Sequence, residues 1–306
     1  MGHQDKGARS ANLYTEVTER IIAQLEAGSL PWVQPWGQGE AAIGLPRNAG
    51  TGRCYSGINI LILWYRLFEK GYRGQRWLTY RQAQTLGGHV RRGEEGVSIC
   101  YADRFVPRGE EAKARDEDRE ARQVAFLKRF TVFNVDQCED LPEDMAAVPL
   151  SLEVEEIVPL AHRLIRASGA DIRVGGEVAC YAPSPDYIRV PPQSAYHDRI
   201  NWYRTIFHEL GHWTGHVSRL DRLTGADFGS DDYAREELCA EMASAFLCAE
   251  LGIEPTVRHA DYIAAWLTLL HSDNRAIFRA ASQASKAADY LLAFDHLDEA
   301  DEGAAS

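Results

Sequence analysis

The nine residues HELGHWTGH, at positions 208–216 of this 306-residue chain, constrain its fold and chemistry more than any other feature. Residues four apart share one face of an α-helix, so the imidazoles of His208 and His212 can be directed at one point. Neutral imidazole is a preferred zinc ligand, and Glu209 would border the open coordination position as the general base for a water molecule. The motif therefore predicts a metal site on a helix, with Glu209 as its catalytic residue.

The third ligand of a catalytic zinc site is not fixed by this motif. A metzincin-type extension fails because Ser218 stands where its histidine should be. His216 follows the predicted helix end at Gly215, so its direction is open. Glu237 and Glu241 lie one helical turn apart on an otherwise apolar helix, about 25 residues after the motif. In a gluzincin-like site one carboxylate binds the metal and the other holds a ligand imidazole. We predict Glu237 as the ligand and Glu241 as the holding group, with the exchange of these roles left open.

The six cysteines are scattered and form no CxxC pair, which is typical of a reducing cytosol and disfavours cysteine ligands. No segment has the length and apolarity of a membrane span, and none resembles a signal peptide. We therefore expect a cytoplasmic protein without a membrane partner. We expect one Zn²⁺ per chain, with Mn²⁺ or another divalent ion as the alternative.

The formal net charge of −12 is unevenly distributed. Residues 141–306 carry 13 Lys and Arg against 27 Asp and Glu, whereas residues 45–105 carry 10 against 4. Cations interleaved with aromatic rings suit single-stranded DNA, because cations follow the phosphates and rings stack on unpaired bases. The predicted DNA-binding residues are Arg47, Arg53, Tyr55, Asn59, Arg73, Arg76, Trp77, Arg81, Arg91 and Arg92. On composition alone, an arginine-coated surface over a tryptophan core is a slightly better explanation.

Apolar periodicity predicts an α+β protein with two domains, residues 1–143 and 144–306. Segments 97–106 and 124–135 alternate like two strands. The acidic segment 107–123 between them has no apolar face and is predicted to be an exposed hairpin insertion. Tyr187–Val190 is predicted to be an edge strand beside the metal, along which an extended peptide could add a strand.

Several motifs occur in an order that resembles ArdC-type antirestriction proteins. They are PWVQPW at 31–36, GRCYSGIN at 52–59, WLTYRQAQTLGGHVRRGE at 77–94, FTVFNVDQ at 130–137, HELGHWTGH at 208–216 and YAREELCAE at 233–241. With the helical segment 262–291, the resemblance covers about residues 12–294. It implies a domain that binds single-stranded DNA and a zincin-like metallopeptidase domain, encoded by mobile elements and protecting incoming DNA from restriction enzymes. By position it implies a metal site of His208, His212 and Glu237, with Glu209 as the general base.

Two other functions are compatible with these residues. The protein could be a non-catalytic shield that coats single-stranded DNA, with a structural or vestigial zinc site. A nuclease is the second alternative, because an activated water also attacks phosphodiesters. The acidic second half disfavours the nuclease, since it would repel a phosphate backbone. For the peptidase, the expected substrate is an unidentified protein, with the restriction system as one source.

Overall fold

The structure, a computed structural model, describes residues 4–33, 41–117, 119–122, 124–146, 152, 154–223, 225, 229–256 and 262–304. Residues 34–36 of the PWVQPW motif lie outside this part. The helices are α1 (Gln4–Glu26), α2 (Ile58–Lys70), α3 (Tyr80–Thr85), α4 (Glu110–Asp116), α5 (Glu143–Ala146), α6 (Val154–Ala167), α7 (Arg199–Trp213), α8 (Asp231–Glu250), α9 (Ile263–Ser272) and α10 (Ala276–Ala304). The strands are β1 (Arg47–Asn48), β2 (Arg76–Leu78), β3 (His89–Val90), β4 (Val97–Phe105), β5 (Val124–Asn134), β6 (Cys138–Glu139), β7 (Asp171–Val174), β8 (Cys180–Ala182) and β9 (Tyr187–Val190).

The first half of the chain is built on a four-stranded sheet with the order β1-β2-β5-β4. Strands β4 and β5 pair antiparallel along their whole length, from Val97 opposite Val132 to Phe105 opposite Val124. Helix α2 packs on β4. The predicted α+β class is confirmed. No helix among the described residues is long and apolar enough to cross a membrane.

The acidic segment 107–123 connects β4 to β5 and contains helix α4. Its predicted lack of an apolar face is wrong at Ala114, which is only 3% exposed. Arg119 lies 2.7 Å from Glu110 and closes the segment with an ion pair. Arg119 also pairs with Glu117 over 2.6 Å, and neither these ion pairs nor the buried Ala114 leave a periodic pattern in the sequence.

A three-stranded sheet in the second half has the order β7-β9-β8. The prediction that Tyr187–Val190 is an edge strand is therefore wrong: β9 is the central strand, parallel to β7 and antiparallel to β8. Ile188 and Val190 are fully buried. The strand itself was predicted correctly, but strand order depends on long-range pairing that the local sequence does not encode.

One continuous apolar core runs through both halves of the chain. Trp32 packs edge-on against Trp266 at a ring-centroid distance of 5.3 Å, and Trp64 packs against Phe246 at 5.8 Å. Such aromatic pairs add about 0.5–1.5 kcal/mol beyond the effect of burial. Trp32, which follows α1, and Trp64 on α2 therefore support helices α9 and α8 of the second half.

Helices α7 and α8 approach each other closely at Gly211. A Cβ atom at this position would lie 3.2 Å from the Cα of Ala240, tighter than ordinary contact. Helix α8 is buried along most of its length, so it has little freedom to move away. The absence of a side chain at Gly211 thus lets α8 present its side chains directly to the HELGH turn of α7.

We predict that Gly211→Val lowers the free energy of unfolding by about 1–3 kcal/mol, because the added carbons meet the α8 backbone. Urea denaturation measures the change. The control is Ala265→Val on the exposed face of α9, which carries only the β-branched helix penalty of a few tenths of a kcal/mol. Equal losses in the two variants would contradict the close-approach explanation.

Candidate metal centre

Helix α7 places the two histidines of the motif side by side. The Nε2 atoms of His208 and His212 are 3.1 Å apart, and the rings are nearly perpendicular, at 83°. The helix ends at Trp213, two residues before the predicted stop at Gly215. The hydroxyl of Thr214 donates to the carbonyl of Gly211 over 2.6 Å and helps to close the last turn.

Helix α8 brings Glu237 to the same point. One carboxylate oxygen lies 3.5 Å from Nε2 of His208 and the other lies 3.5 Å from Nε2 of His212. Ser230 caps this helix by accepting a hydrogen bond from the backbone of Tyr233, so α8 begins about two turns before the ligand position. The hydroxyl of Tyr233 also hydrogen-bonds Glu237.

The spacing of these atoms fits a small divalent ion. Bonds of about 2.0–2.1 Å in a tetrahedral site place neighbouring ligand atoms about 3.4 Å apart. The three observed distances, 3.1, 3.5 and 3.5 Å, bracket this value. Across the described ranges, His208, His212 and Glu237 form the group of possible ligands that converges within 4.8 Å. Two imidazoles and one carboxylate also match the ligand types of catalytic zinc.

Glu241 lies on the far side of the His208 ring, with a carboxylate oxygen 3.7 Å from Nδ1. This distance is longer than a hydrogen bond, so Glu241 lies beside Nδ1 without bonding to it, whereas Glu237 faces the Nε2 atoms. His216 is directed elsewhere, because its Nδ1 lies 2.8 Å from the hydroxyl of Ser218 in an exposed turn. The geometry thus favours the predicted ligand set over the two alternatives considered from the sequence.

Two buried residues at this site were missed in the sequence. Glu236 lies 3.1 Å from Nδ1 of His212, and Arg222 binds Glu236 through its guanidinium. Glu236 is adjacent to Glu237 in a run of acidic residues, so nothing distinguished it from a solvated side chain. Arg222 lies in an irregular segment, where no periodic pattern predicts the direction of a side chain.

The carboxylates strongly affect the ionisation of the metal-free site. Burial lowers the pKa of His212, but the hydrogen bond and charge of Glu236, with the charges of Glu237 and Glu209, outweigh it and raise the pKa to about 9. Burial raises the pKa of Glu237, but the hydrogen bond with His208 and the charges of both histidines lower it to about 2. At neutral pH the metal-free site therefore pairs an imidazolium with carboxylates.

Glu209 and His208 border a cleft of about 560 Å³. Its other walls are formed by Gly176, Glu177, Val178, Ala179, Pro191, Pro192, Ala195, Tyr196 and Thr205. Residues 176–179 lead directly into β8, an edge strand of the three-stranded sheet. The edge beside the cleft is therefore β8 and the segment before it, in place of the predicted β9.

Most of the predicted DNA-binding side chains are engaged within the protein. They are Arg47 with Glu250, Arg73 with Asp136, Arg76 with the carbonyl of Asp144, Arg91 with Glu94, Asn59 with both backbone groups of Cys100, and Tyr55 with Asn48. Trp77 is fully buried, so its predicted role in stacking on bases is wrong. The basic window alternates with core residues, and composition does not separate the two.

The remaining predicted cations are Arg53, Arg81 and Arg92, whose side chains have no ion pair or hydrogen bond among the described residues. Arg92 lines an open cleft of about 710 Å³ together with Tyr80 and Phe133. The ring of Tyr80 is 51% exposed and lies 6.5 Å from that of Phe133. Phe133 was missed because it lies in a strand whose pattern predicts only a buried face.

Comparison with known proteins gives two family matches. Residues 11–133 match the N-terminal domain of anti-restriction factor ArdC, and residues 159–283 match a zincin-like metallopeptidase domain. The two-domain α+β organisation is thereby confirmed. The predicted boundary at 143/144 falls between the matched segments and stays a prediction.

Individual relatives match nearly the whole chain. The metal-free crystal structure of the antirestriction ArdC protein of plasmid R388 is 41% identical, with a TM-score of 0.77, and the match covers 92% of this chain and 97% of that protein. The Mn(II)-bound structure of the same protein is 40% identical in sequence, with a TM-score of 0.76 and the same coverage of both chains. An uncharacterised protein of Sinorhizobium fredii is 39% identical over 92% of both chains.

The DNA primase TraC of Escherichia coli is 40% identical over 92% of this chain, which spans only 27% of that primase. A longer protein thus contains a segment similar to nearly all of this one. The two consecutive family matches, and the identity shared with the R388 protein over almost its full length, lead to one conclusion. This chain belongs to the ArdC family of antirestriction proteins and contains a zincin-like metallopeptidase domain.

Proposed function

We propose that this protein protects incoming DNA from restriction in the cytoplasm of a recipient cell by binding single-stranded DNA and cleaving a protein. The observation that carries the peptidase proposal is the convergence of His208, His212 and Glu237 next to a cleft bordered by Glu209. We propose Zn²⁺ as the metal. The existence of a Mn(II)-bound structure of the R388 protein supports a first-row divalent ion as the metal.

In this proposal the ion would be held by three atoms: Nε2 of His208, Nε2 of His212 and a carboxylate oxygen of Glu237. When bound, the ion supplies Lewis acidity, which lowers the pKa of a water molecule and polarises a carbonyl oxygen. Glu209 accepts a proton from the attacking water and returns it to the departing amine. Glu241, whose carboxylate lies 3.7 Å from Nδ1 of His208, would hold that ring once the two groups move into hydrogen-bond distance.

The cleft suits an extended peptide. Backbone groups of an edge strand can pair with an added strand, and residues 176–179 lead from the cleft into edge strand β8. Val178 is 65% exposed there and offers an apolar contact to a bound peptide. A protein of the restriction system is the proposed source of the peptide.

Tyr80, Phe133 and Arg92 support a proposed contact with single-stranded DNA. An exposed ring can stack on an unpaired base, and a cation without an internal partner can bind a phosphate. A second exposed pair, Tyr101 and Phe130, lies on the β4–β5 hairpin with a ring-centroid distance of 6.0 Å. The proposal favours the first pair because Arg92 borders the same cleft.

We predict that Glu209→Gln retains metal and DNA binding but loses protection of a transferred plasmid in a restricting host. Loss of a general base lowers hydrolysis about 100-fold or more. Glu177→Gln, which removes an exposed carboxylate from the same cleft, is the matched control. Undiminished protection by Glu209→Gln would favour the alternative, a shield that protects DNA by coating it.

We predict that Tyr80→Ala weakens binding to a fluorescent oligothymidine about 5-fold to 150-fold, corresponding to the loss of about 1–3 kcal/mol of stacking. Arg92→Ala should weaken it too and reduce the dependence on salt by about one phosphate contact. Tyr101→Ala is the control for general loss of an exposed ring. If only Tyr101→Ala weakens binding, the DNA contacts lie on the hairpin.

Metal binding should release a proton from His212, because its raised pKa of about 9 keeps the ring charged at neutral pH. The proton stays bound below that pKa and competes with the metal. The apparent affinity for Mn²⁺ should therefore rise about tenfold for each pH unit between about pH 6 and pH 8. Calorimetry in buffers of different ionisation enthalpy counts the released protons. An affinity independent of pH over this window would contradict a charged His212.

A further inference from the structure

A largely buried ion pair lies behind the metal ligand His212. Oε1 of Glu236 is 3.1 Å from Nδ1 of this histidine. Arg222 donates to both oxygens of Glu236, from Nε to Oε2 over 2.7 Å and from Nη2 to Oε1 over 2.8 Å. The two side chains are only 9% and 16% exposed. Buried ion pairs often add little to stability, because losing water costs both charges. A role in function therefore explains this pair better than a contribution to stability does.

Arg222 is also fixed to the end of α7. Nη2 donates to the carbonyl of Gly211 over 2.6 Å, and Nη1 lies 3.2 Å from the hydroxyl of Thr214. A Cβ atom at Gly215 would lie 2.9 Å from Nη2 and 3.1 Å from Cζ of Arg222. Gly215 does not adopt a positive φ, so its lack of a side chain serves to leave room for the guanidinium.

We propose that Arg222 and Glu236 position His212 for metal binding. This inference rests on the metal site proposed above and adds two positioning residues to it. Arg222 fixes the direction of the Glu236 carboxylate. The carboxylate then accepts the Nδ1–H of His212, which leaves the lone pair of Nε2 directed toward Glu237 and His208.

The alternative tautomer shows why this matters. A hydrogen on Nε2 of His212 would point at the ion position and at Nε2 of His208, which is only 3.1 Å away. Glu241 occupies the corresponding place behind His208. Glu236 differs because it precedes Glu237 directly on α8. Its bidentate contact with Arg222 keeps the Glu236 carboxylate behind the ring and away from the ion.

The test removes both charges together, so that no unpaired charge is buried. The variant Arg222→Met/Glu236→Leu should bind Mn²⁺ about 10-fold to 100-fold more weakly, with little change in the unfolding of the metal-free protein. The visible spectrum of added Co²⁺ should also change, because the His212 ring is no longer held. Wild-type affinity with an unchanged Co²⁺ spectrum in this variant overturns the proposal.

Gly215→Ala gives a second test that keeps both charged residues. The added carbon displaces the guanidinium, so Mn²⁺ affinity should fall in the same direction but by less. Arg219→Met is the matched control: Arg219 is also buried, in the same segment, but pairs with Asp186 and does not contact the ligands. It should lower stability without changing metal affinity, and a loss of affinity equal to that of the double variant would count against the proposal.

His208→Ala distinguishes failure of the metal site from failure of the positioning proposal. This variant should lose Mn²⁺ binding. If it binds Mn²⁺ normally, the proposed metal site itself is wrong and the positioning role falls with it. If His208→Ala loses the ion while the double variant keeps wild-type affinity, only the role of Arg222 and Glu236 is overturned.

Discussion

The site depends on the close approach of α7 and α8 at Gly211 and Ala240. Each helix alone supplies incomplete ligation, two imidazoles from α7 and one carboxylate from α8. A side chain at Gly211 would separate the helices and move Glu237 from the 3.5 Å distances that fit a divalent ion. Because α8 is packed between α7 and α10, and α1 and α2 share the same core, much of the molecule's packing helps to hold this one distance.

The parts of the site that lie on one helix could be predicted from the sequence. The spacing of His208 and His212 fixes their common face by helical periodicity alone. The choice between Glu237 and Glu241 could not be fixed in this way, since both lie on one face of α8. It depends on how α8 crosses α7, which is a tertiary property. The place of Arg222 in the site could not be predicted from the sequence, because its contact with Glu236 joins a helix to an irregular segment.

For the fold, too, local features could be predicted from the sequence but long-range contacts could not. Strands β4 and β5 were predicted to within one or two residues at each end, because alternation is a local signal. The central place of β9 was not predicted, because it depends on pairing with β7 and β8. In the basic window, Trp77 and the exposed Tyr80 lie three residues apart, one in the core and one at the surface. Residue type gave no means of separating them; only the packing of β2 and α3 does so.

The distribution of charge bears on the choice among peptidase, shield and nuclease. Residues 141–306 carry a large acidic excess, and Glu209, Glu236, Glu237 and Glu241 lie within or beside the metal centre. A phosphodiester would meet this negative field, whereas a peptide carbonyl is neutral and would not be repelled. Arg53, Arg81 and Arg92, the predicted DNA-binding cations that have no side-chain partner among the described residues, belong to the first half of the chain. The proposed DNA binding and the proposed hydrolysis therefore involve different surfaces, the first half of the chain for the strand and the second half for a protein substrate.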